Sequence, residues 1–159
     1  MIIKGIIDED IVNYKKISMT IEFPYCSFKC DKECGMQVCQ NSGLASFPNL
    51  EIDAESLIKR YLANSISESI VMQGLEPFDS WSDLICFVHL LRKKYKCEDD
   101  IIIYTGYKED EIKSKIKILQ KYPNIIIKFG RYIPNQEPHK DEVLGVNLAS
   151  DNQHAMKIS

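Results

Sequence analysis

The sequence predicts an α/β domain with a mainly parallel sheet, and three observations carry that prediction. Four β-prone apolar segments, at residues 16–23, 69–73, 101–104 and 125–127, alternate with amphipathic helical segments. The chain has 159 residues, 45% hydrophobic and 27% charged, enough to bury one real core. No repeat, low-complexity tract or Pro/Gly/Ser linker divides it, so residues 1–159 read as a single domain.

The first strand alternates Ile17, Met19, Ile21 and Phe23, and Pro24 ends it. Asp53 is placed to cap a helix that carries Leu57, Ile58, Tyr61 and Leu62 on one face. Ile70, Val71 and Met72 centre the second strand. Ser80-Trp81-Ser82-Asp83 has the form of a capping box, and Trp81, Leu84, Ile85, Val88 and Leu91 follow it at helical period. Ile101-Ile102-Ile103-Tyr104 is a continuous apolar run, as expected of a strand covered on both faces. A helix from about Glu109 presents Ile112, Ile116 and Leu119 and stops near Pro123; Ile125-Ile126-Ile127 forms the fourth strand. Residues 143–148 and 155–158 are expected as short edge strands. Strands joined through helices in this way run parallel with right-handed crossovers.

Composition narrows the function classes. With 20 Lys+Arg against 23 Asp+Glu the net charge is −3, unsuited to a nucleic-acid binder led by phosphate contacts. No apolar run reaches the roughly 18 residues of a membrane span. The N-terminal run Met1-Ile2-Ile3 to Ile7 meets Asp8, Glu9 and Asp10 at once and is too short for a secretory signal. A reducing, cytoplasmic location is therefore expected, in which disulfides are rare. Six cysteines then need another account, and four of them, Cys26, Cys30, Cys34 and Cys39, fall within a loop after the first strand.

Parallel α/β sheets bind ligands beyond the carboxyl ends of their strands. There stand the cysteine loop, Gln73-Gly74-Leu75-Glu76-Pro77, Tyr104-Thr105-Gly106-Tyr107 and Phe129-Gly130-Arg131-Tyr132. Four unusual segments converge on one sheet edge. Thiolates bind soft metals and iron–sulfur clusters, and a cluster held by only three cysteines keeps one iron free for a substrate with an amine and a carboxylate. The spacing Cys26-Ser27-Phe28-Lys29-Cys30 opens the radical S-adenosylmethionine (SAM) signature.

On these residues the chain resembles the anaerobic ribonucleoside-triphosphate reductase-activating proteins, the small radical-SAM activases. The resemblance begins at Asp10-Ile11-Val12-Asn13-Tyr14 and passes through residues 26–41, Gly74 to Pro77 and Tyr104 to Tyr107. It continues to Gly130-Arg131-Tyr132 and Ser150-Asp151-Asn152-Gln153. It implies a partial, open (β/α) barrel. It implies a [4Fe-4S] cluster on Cys26, Cys30 and Cys39, with SAM chelating the remaining iron and being cleaved to methionine and a 5′-deoxyadenosyl radical. That radical would take a hydrogen atom from a glycine of the large subunit of an anaerobic ribonucleotide reductase. Flavodoxin or ferredoxin is the implied electron donor.

The sequence departs from the family pattern in three places. The signature's second gap is two residues, whereas Cys30 is followed by Cys34 after three and by Cys39 after eight. Cys39 is taken as the third ligand because Cys39-Gln40-Asn41 resembles the family's cysteine-x-asparagine ending, and Cys34 stands as the alternative. Gly-Gly-Glu-Pro appears as Gly74-Leu75-Glu76-Pro77, and Phe129 replaces an aspartate before Gly130.

By the same resemblance Gly74 lets the backbone approach SAM, Glu76 accepts its ammonium, and Val38 touches its adenine. Asn41 and Thr105 are further SAM contacts, and Arg131 is placed to pair with a carboxylate. The same chemistry on another glycyl-radical enzyme or a small molecule is an alternative. A zinc-stabilised binding module is the rival from another class, although the three histidines, His89, His139 and His154, lie far from the loop in sequence.

Overall fold

A computed structural model describes residues 1–159. The chain opens with β1 (Ile2–Ile3), β2 (Gly5–Asp10) and β3 (Ser18–Phe23), and then enters the cysteine loop with the short helix α1 (Lys29–Cys34). β4 (Leu50–Glu51), α2 (Ala54–Ala63), β5 (Ser69–Gly74) and α3 (Trp81–His89) follow, and α3 runs on into a π-helical turn at Leu90–Lys94. Next come β6 (Asp100–Tyr104), α4 (Lys113–Leu119), β7 (Ile125–Phe129), β8 (His139–Asp141), β9 (Val146–Leu148) and β10 (His154–Lys157). No helix is long and apolar enough to cross a membrane.

Six strands form the main sheet in the order β10-β7-β6-β5-β3-β2. The inner four are parallel and sequential, as the βα alternation predicts. The sheet as a whole is mixed, because β2 and β10 pair antiparallel at its two edges. β2 was not expected: its sequence Gly5-Ile6-Ile7-Asp8-Glu9-Asp10 ends in acids. Such charges suit an edge strand, which must not pair with another chain. One of them, Asp8, is gripped by Arg60 of α2 through two bonds of 2.7 and 2.6 Å.

Register sorts the side chains into ranks. Met19, Ile70, Ile101 and Ile125 align across the four parallel strands, as do Ile21, Met72, Ile103 and Ile127. Both ranks face the main core, where they meet Leu57, Ile58 and Tyr61 of α2, Leu84, Phe87 and Val88 of α3, and Leu119 of α4. The opposite face carries Thr20, Val71, Ile102 and Ile126. Only a small cluster made with Tyr14, Leu144 and Leu148 covers it. The larger helices therefore all lie on one face.

Four local expectations are corrected. Leu62 is exposed, because the buried face of α2 is Ala54, Leu57, Ile58 and Tyr61. Asp53 does cap α2, accepting from the Ser56 amide at 2.9 Å. Ser80 makes no cap bond at α3, since a 3-10 turn at Pro77–Ser80 precedes the helix. The residue paired with it in the expected box, Asp83, instead receives the Ile2 amide at 3.1 Å. The helix expected from Glu109 starts as a 3-10 turn and becomes α-helical at Lys113. Residues 146–148 pair with β8 in a separate hairpin, not with the main sheet, whereas β10 is the expected edge strand.

Candidate metal and cofactor centre

β3 delivers the chain into the cysteine loop at its carboxyl end. α1 is entered through Phe28 at φ 51° and left through Gly35 at φ 67°. The left-handed Gly35 turns the chain sharply back. Asp31 then closes the loop: its Oδ1 accepts the amides of Val38 and Cys39, both at 2.8 Å. The eight residues between Cys30 and Cys39 thus form a loop closed on itself, and Asp31 sets where Cys39 stands.

A cavity of about 340 Å³ opens at the carboxyl ends of the parallel strands. Cys26, Cys30 and Cys39 line it, and so do Asn41, Gly74, Glu76 and Thr105. Cys34, one turn further along α1 than Cys30, does not, and neither does Val38. The sheet's register supplies another lining group, of which sequence reasoning missed Lys128. Gln73, Tyr104 and Lys128 are the last residues of their strands on the sparsely covered face, and all three line the cavity.

Several expected contacts prove to have structural work of their own. Gly74 has φ +99°, and a Cβ there would stand 2.8 Å from the Phe23 amide nitrogen. The close approach that demands glycine is therefore to β3. The Gly74 carbonyl accepts from Asn41 Nδ2 at 3.0 Å, which ties the end of the cysteine loop to β5. Glu76 is buried, and its carboxylate receives the Phe78 amide at 3.1 Å, the Thr105 hydroxyl at 2.8 Å and the Gly106 amide at 2.9 Å. It pins the turn after β5 to the turn after β6. Two carboxylate oxygens offer about four acceptor positions, so about one remains free. Burial pushes its pKa up to about 7 against the pull of those donors.

Lys128 is also buried, and its Nζ donates to the Gly130 carbonyl at 3.1 Å. Desolvation pulls its pKa down to about 8, while Cys30 and Glu76 favour the charged form. The cavity floor therefore carries one buried acid and one buried base. The one signal in the sequence was a lysine ending an isoleucine run.

The thiols differ in their surroundings. Burial pushes Cys26 up to about 12, and Glu76 and Asp79 add to the effect. Burial raises Cys30 as well, but the Tyr132 amide and the charges of Arg131 and Lys128 pull it back. Burial raises Cys39, opposed by the Asn41 amide. All three thiols are thus raised, the reverse of the lowering found at reactive cysteines. This suits thiols that a metal must deprotonate on binding. No three His, Cys, Asp or Glu side chains are gathered tightly enough to hold a single metal ion.

Two clasps, one at Asp79 and one at Arg131, brace the site, and sequence reasoning missed the first. Asp79 accepts the Ser27 amide at 2.7 Å and the Tyr107 hydroxyl at 2.5 Å. Arg131 pairs with carboxylates as expected, but with this chain's own Glu111, at 2.7 Å, and Glu33. It is buried, and its Nε and Nη1 have no hydrogen-bond acceptor. The Nε lies 3.3 Å from Glu33, an ion-pair distance, with its N–H not aimed at the carboxylate. The Nη1 group, left bare in the interior, fits an anionic group beside it. Three thiols on one cavity, with two buried cations near Cys30, are a donor set and charge balance that an iron–sulfur cluster satisfies.

No curated protein and no solved structure matches the chain. A family model does, the one for 4Fe-4S single cluster domains, over residues 17–154. That span starts just before β3 and takes in the whole cysteine loop and every strand of the parallel core. It favours an iron–sulfur cluster over structural zinc, and it agrees with the donor set. The chain belongs to the 4Fe-4S single cluster domain family.

Proposed function

We propose that the chain is a radical-SAM activase that generates a glycyl radical on an anaerobic ribonucleotide reductase. One observation carries the reading. Cys26, Cys30 and Cys39, but not Cys34, share a cavity with a buried carboxylate, Glu76, and a buried ammonium, Lys128. Three thiolates on a four-iron cluster leave one iron for a ligand. An acid and a base on the same floor match a ligand bearing an α-amino-acid group, as SAM does. The sheet supports the reading too. Parallel strands in sequential order with the larger helices on one face are what a partial, open (β/α) barrel has, whereas a doubly wound sheet has helices on both.

In this reading Cys26, Cys30 and Cys39 hold the [4Fe-4S] cluster, which supplies the electron that cleaves SAM. Lys128 receives the SAM carboxylate and replaces the water it lost on burial. Glu76 receives the ammonium on its remaining acceptor position, while Phe78, Thr105 and Gly106 keep its carboxylate from rotating away. Asn41 and Thr105 hold the cavity wall at SAM. Val38 stands behind Cys39, outside the cavity, and reaches adenine only if the loop closes over bound SAM. Val12 borders the cavity and is exposed, as is Ile11, so an apolar lip is available to the reductase large subunit. Flavodoxin or ferredoxin supplies the electron, and the work is done in the cytoplasm.

The test is anaerobic. Reconstituted, reduced protein is given SAM, and methionine and 5′-deoxyadenosine are measured. The reductase large subunit is then added and its glycyl radical sought by electron paramagnetic resonance. Equal yields of both products, and a radical only with the reductase, are expected. A loaded cluster with no cleavage contradicts the reading. Cleavage with radical formed only on a different glycyl-radical protein changes the partner and keeps the chemistry.

A further inference from the structure

The surroundings of the three thiols are electrically lopsided. Cys26 faces two carboxylates, Glu76 and Asp79. Cys30 faces two cations, Arg131 and Lys128. Arg131 is the unusual member. Its side chain is 4% exposed, yet Nε and Nη1 have no acceptor. Buried donors nearly always find partners, and leaving a charged one bare is costly. Its neighbourhood is fixed by packing around Gly106. A Cβ built there would stand 3.6 Å from Cys30 Sγ, 3.7 Å from Glu76 Oε2 and 3.8 Å from Arg131 Cγ. A void of about 20 Å³ is lined by Arg131, Cys26, Cys30 and Glu76, and shares the last three with the main cavity. Glu111 fixes the other edge of the guanidinium at 2.7 Å, and Lys29 braces Glu111 at 2.9 Å. Nη1 is thus held in place without an acceptor, while Nε lies 3.3 Å from Glu33.

We propose that Arg131 sets the reduction potential of the cluster, by holding its buried positive charge beside Cys30. The inference rests on Cys30 being a cluster ligand and is independent of what the cavity binds. The step is a one-electron uptake from an external low-potential donor: the cluster core passes from 2+ to 1+, and no bond breaks. Added negative charge is stabilised by a nearby cation and by donors to sulfur, so Arg131 raises the potential. Arg131 is buried, so salt screens its charge less than that of a surface arginine. Arg131 is a positioning and tuning residue; it does not touch the reacting atoms.

The test is a potentiometric titration of the reconstituted cluster, without SAM, at one pH, followed by electron paramagnetic resonance. Arg131→Gln is expected to lower the equilibrium constant for reduction about tenfold, which is ~59 mV for one electron. Arg131→Lys, which keeps the charge, recovers most of that shift. Glu111→Gln breaks the same ion pair but removes a negative charge, so its potential moves up. A merely structural clasp would move both variants the same way. An unchanged or raised potential in Arg131→Gln, or a downward or absent shift in Glu111→Gln, overturns the proposal. If Arg131→Gln takes up no cluster, Glu111→Gln decides alone.

Discussion

The two faces of the parallel sheet come from the same strands, one residue apart, and they do opposite work. On the helix-covered face two full ranks are Met and Ile, sealed by α2, α3 and α4. On the other face a single rank, polar Thr20 with apolar Val71, Ile102 and Ile126, lies beneath Gln73, Tyr104 and Lys128 at the carboxyl ends. A rank of four large apolar side chains contributes several kcal/mol of burial at about 1.5–3 kcal/mol each. A buried lysine with one hydrogen bond and a buried glutamate near neutrality cost some of it. The helix face stabilises the fold, and the sparse face spends part of that stability on a polar cavity. That division is what a cofactor site in a small domain requires.

The largest break in the comparison is chemical. Alanine at Cys26, Cys30 or Cys39 is expected to reduce iron and acid-labile sulfide to background after reconstitution, while Cys34→Ala retains them. Loss in Cys34→Ala with retention in Cys39→Ala would put the third ligand on α1. On the helix face, Ile103→Ala empties a fully buried site and should cost about 2–5 kcal/mol in urea unfolding. A cost below about 1 kcal/mol would mean that face is not the stabilising one.

Glu76 sharpens the comparison through pH. Its folded carboxyl keeps the proton up to about pH 7, whereas an unfolded glutamate loses it near pH 4.3. Between those values the folded chain binds more protons, so the stability of the metal-free chain falls as pH rises, by about 4 kcal/mol in total. Glu76→Gln should flatten that slope; an unchanged slope assigns it to other groups. Lys128→Met should stabilise the metal-free chain by about 1–3 kcal/mol, since the freed Gly130 carbonyl still accepts from Gln153 at 3.3 Å. The same variant should weaken SAM binding at least about tenfold. Destabilisation by Lys128→Met would mean that the ammonium holds the fold together. The smallest effect is at Leu62, which points outward: Leu62→Ala should stay within about 0.5 kcal/mol of the parent.

The four parallel strands and the helices between them were legible, because Ile-rich runs and 3.6-residue spacing report burial directly. The edge strand β2 was hidden by Asp8, Glu9 and Asp10, whose acids mask a strand that needs only one buried side. The cysteine loop, Asn41, Gly74, Glu76 and Thr105 were legible as segments following strands, and they do meet at one cavity. Their hydrogen bonds were not, since Glu76 reaches across to Gly106 and Thr105 only once the strands are side by side. Lys128 was hidden because an isoleucine run reads as burial on both faces, and the register alone tells that its last polar residue points to the cavity. Asp31, Asp79 and Glu111 look like ordinary surface acids until the loops they clasp are in place.

The most direct test of the central claim is the electron paramagnetic resonance spectrum of the reduced, reconstituted chain with and without SAM. If three thiols leave one iron open above Glu76 and Lys128, about four irons and matching sulfide per chain will accompany a spectrum that SAM alters. The Lys128→Met variant will need more SAM for the same change. A full cluster whose spectrum is indifferent to SAM would contradict the claim and leave a four-iron domain with a different task.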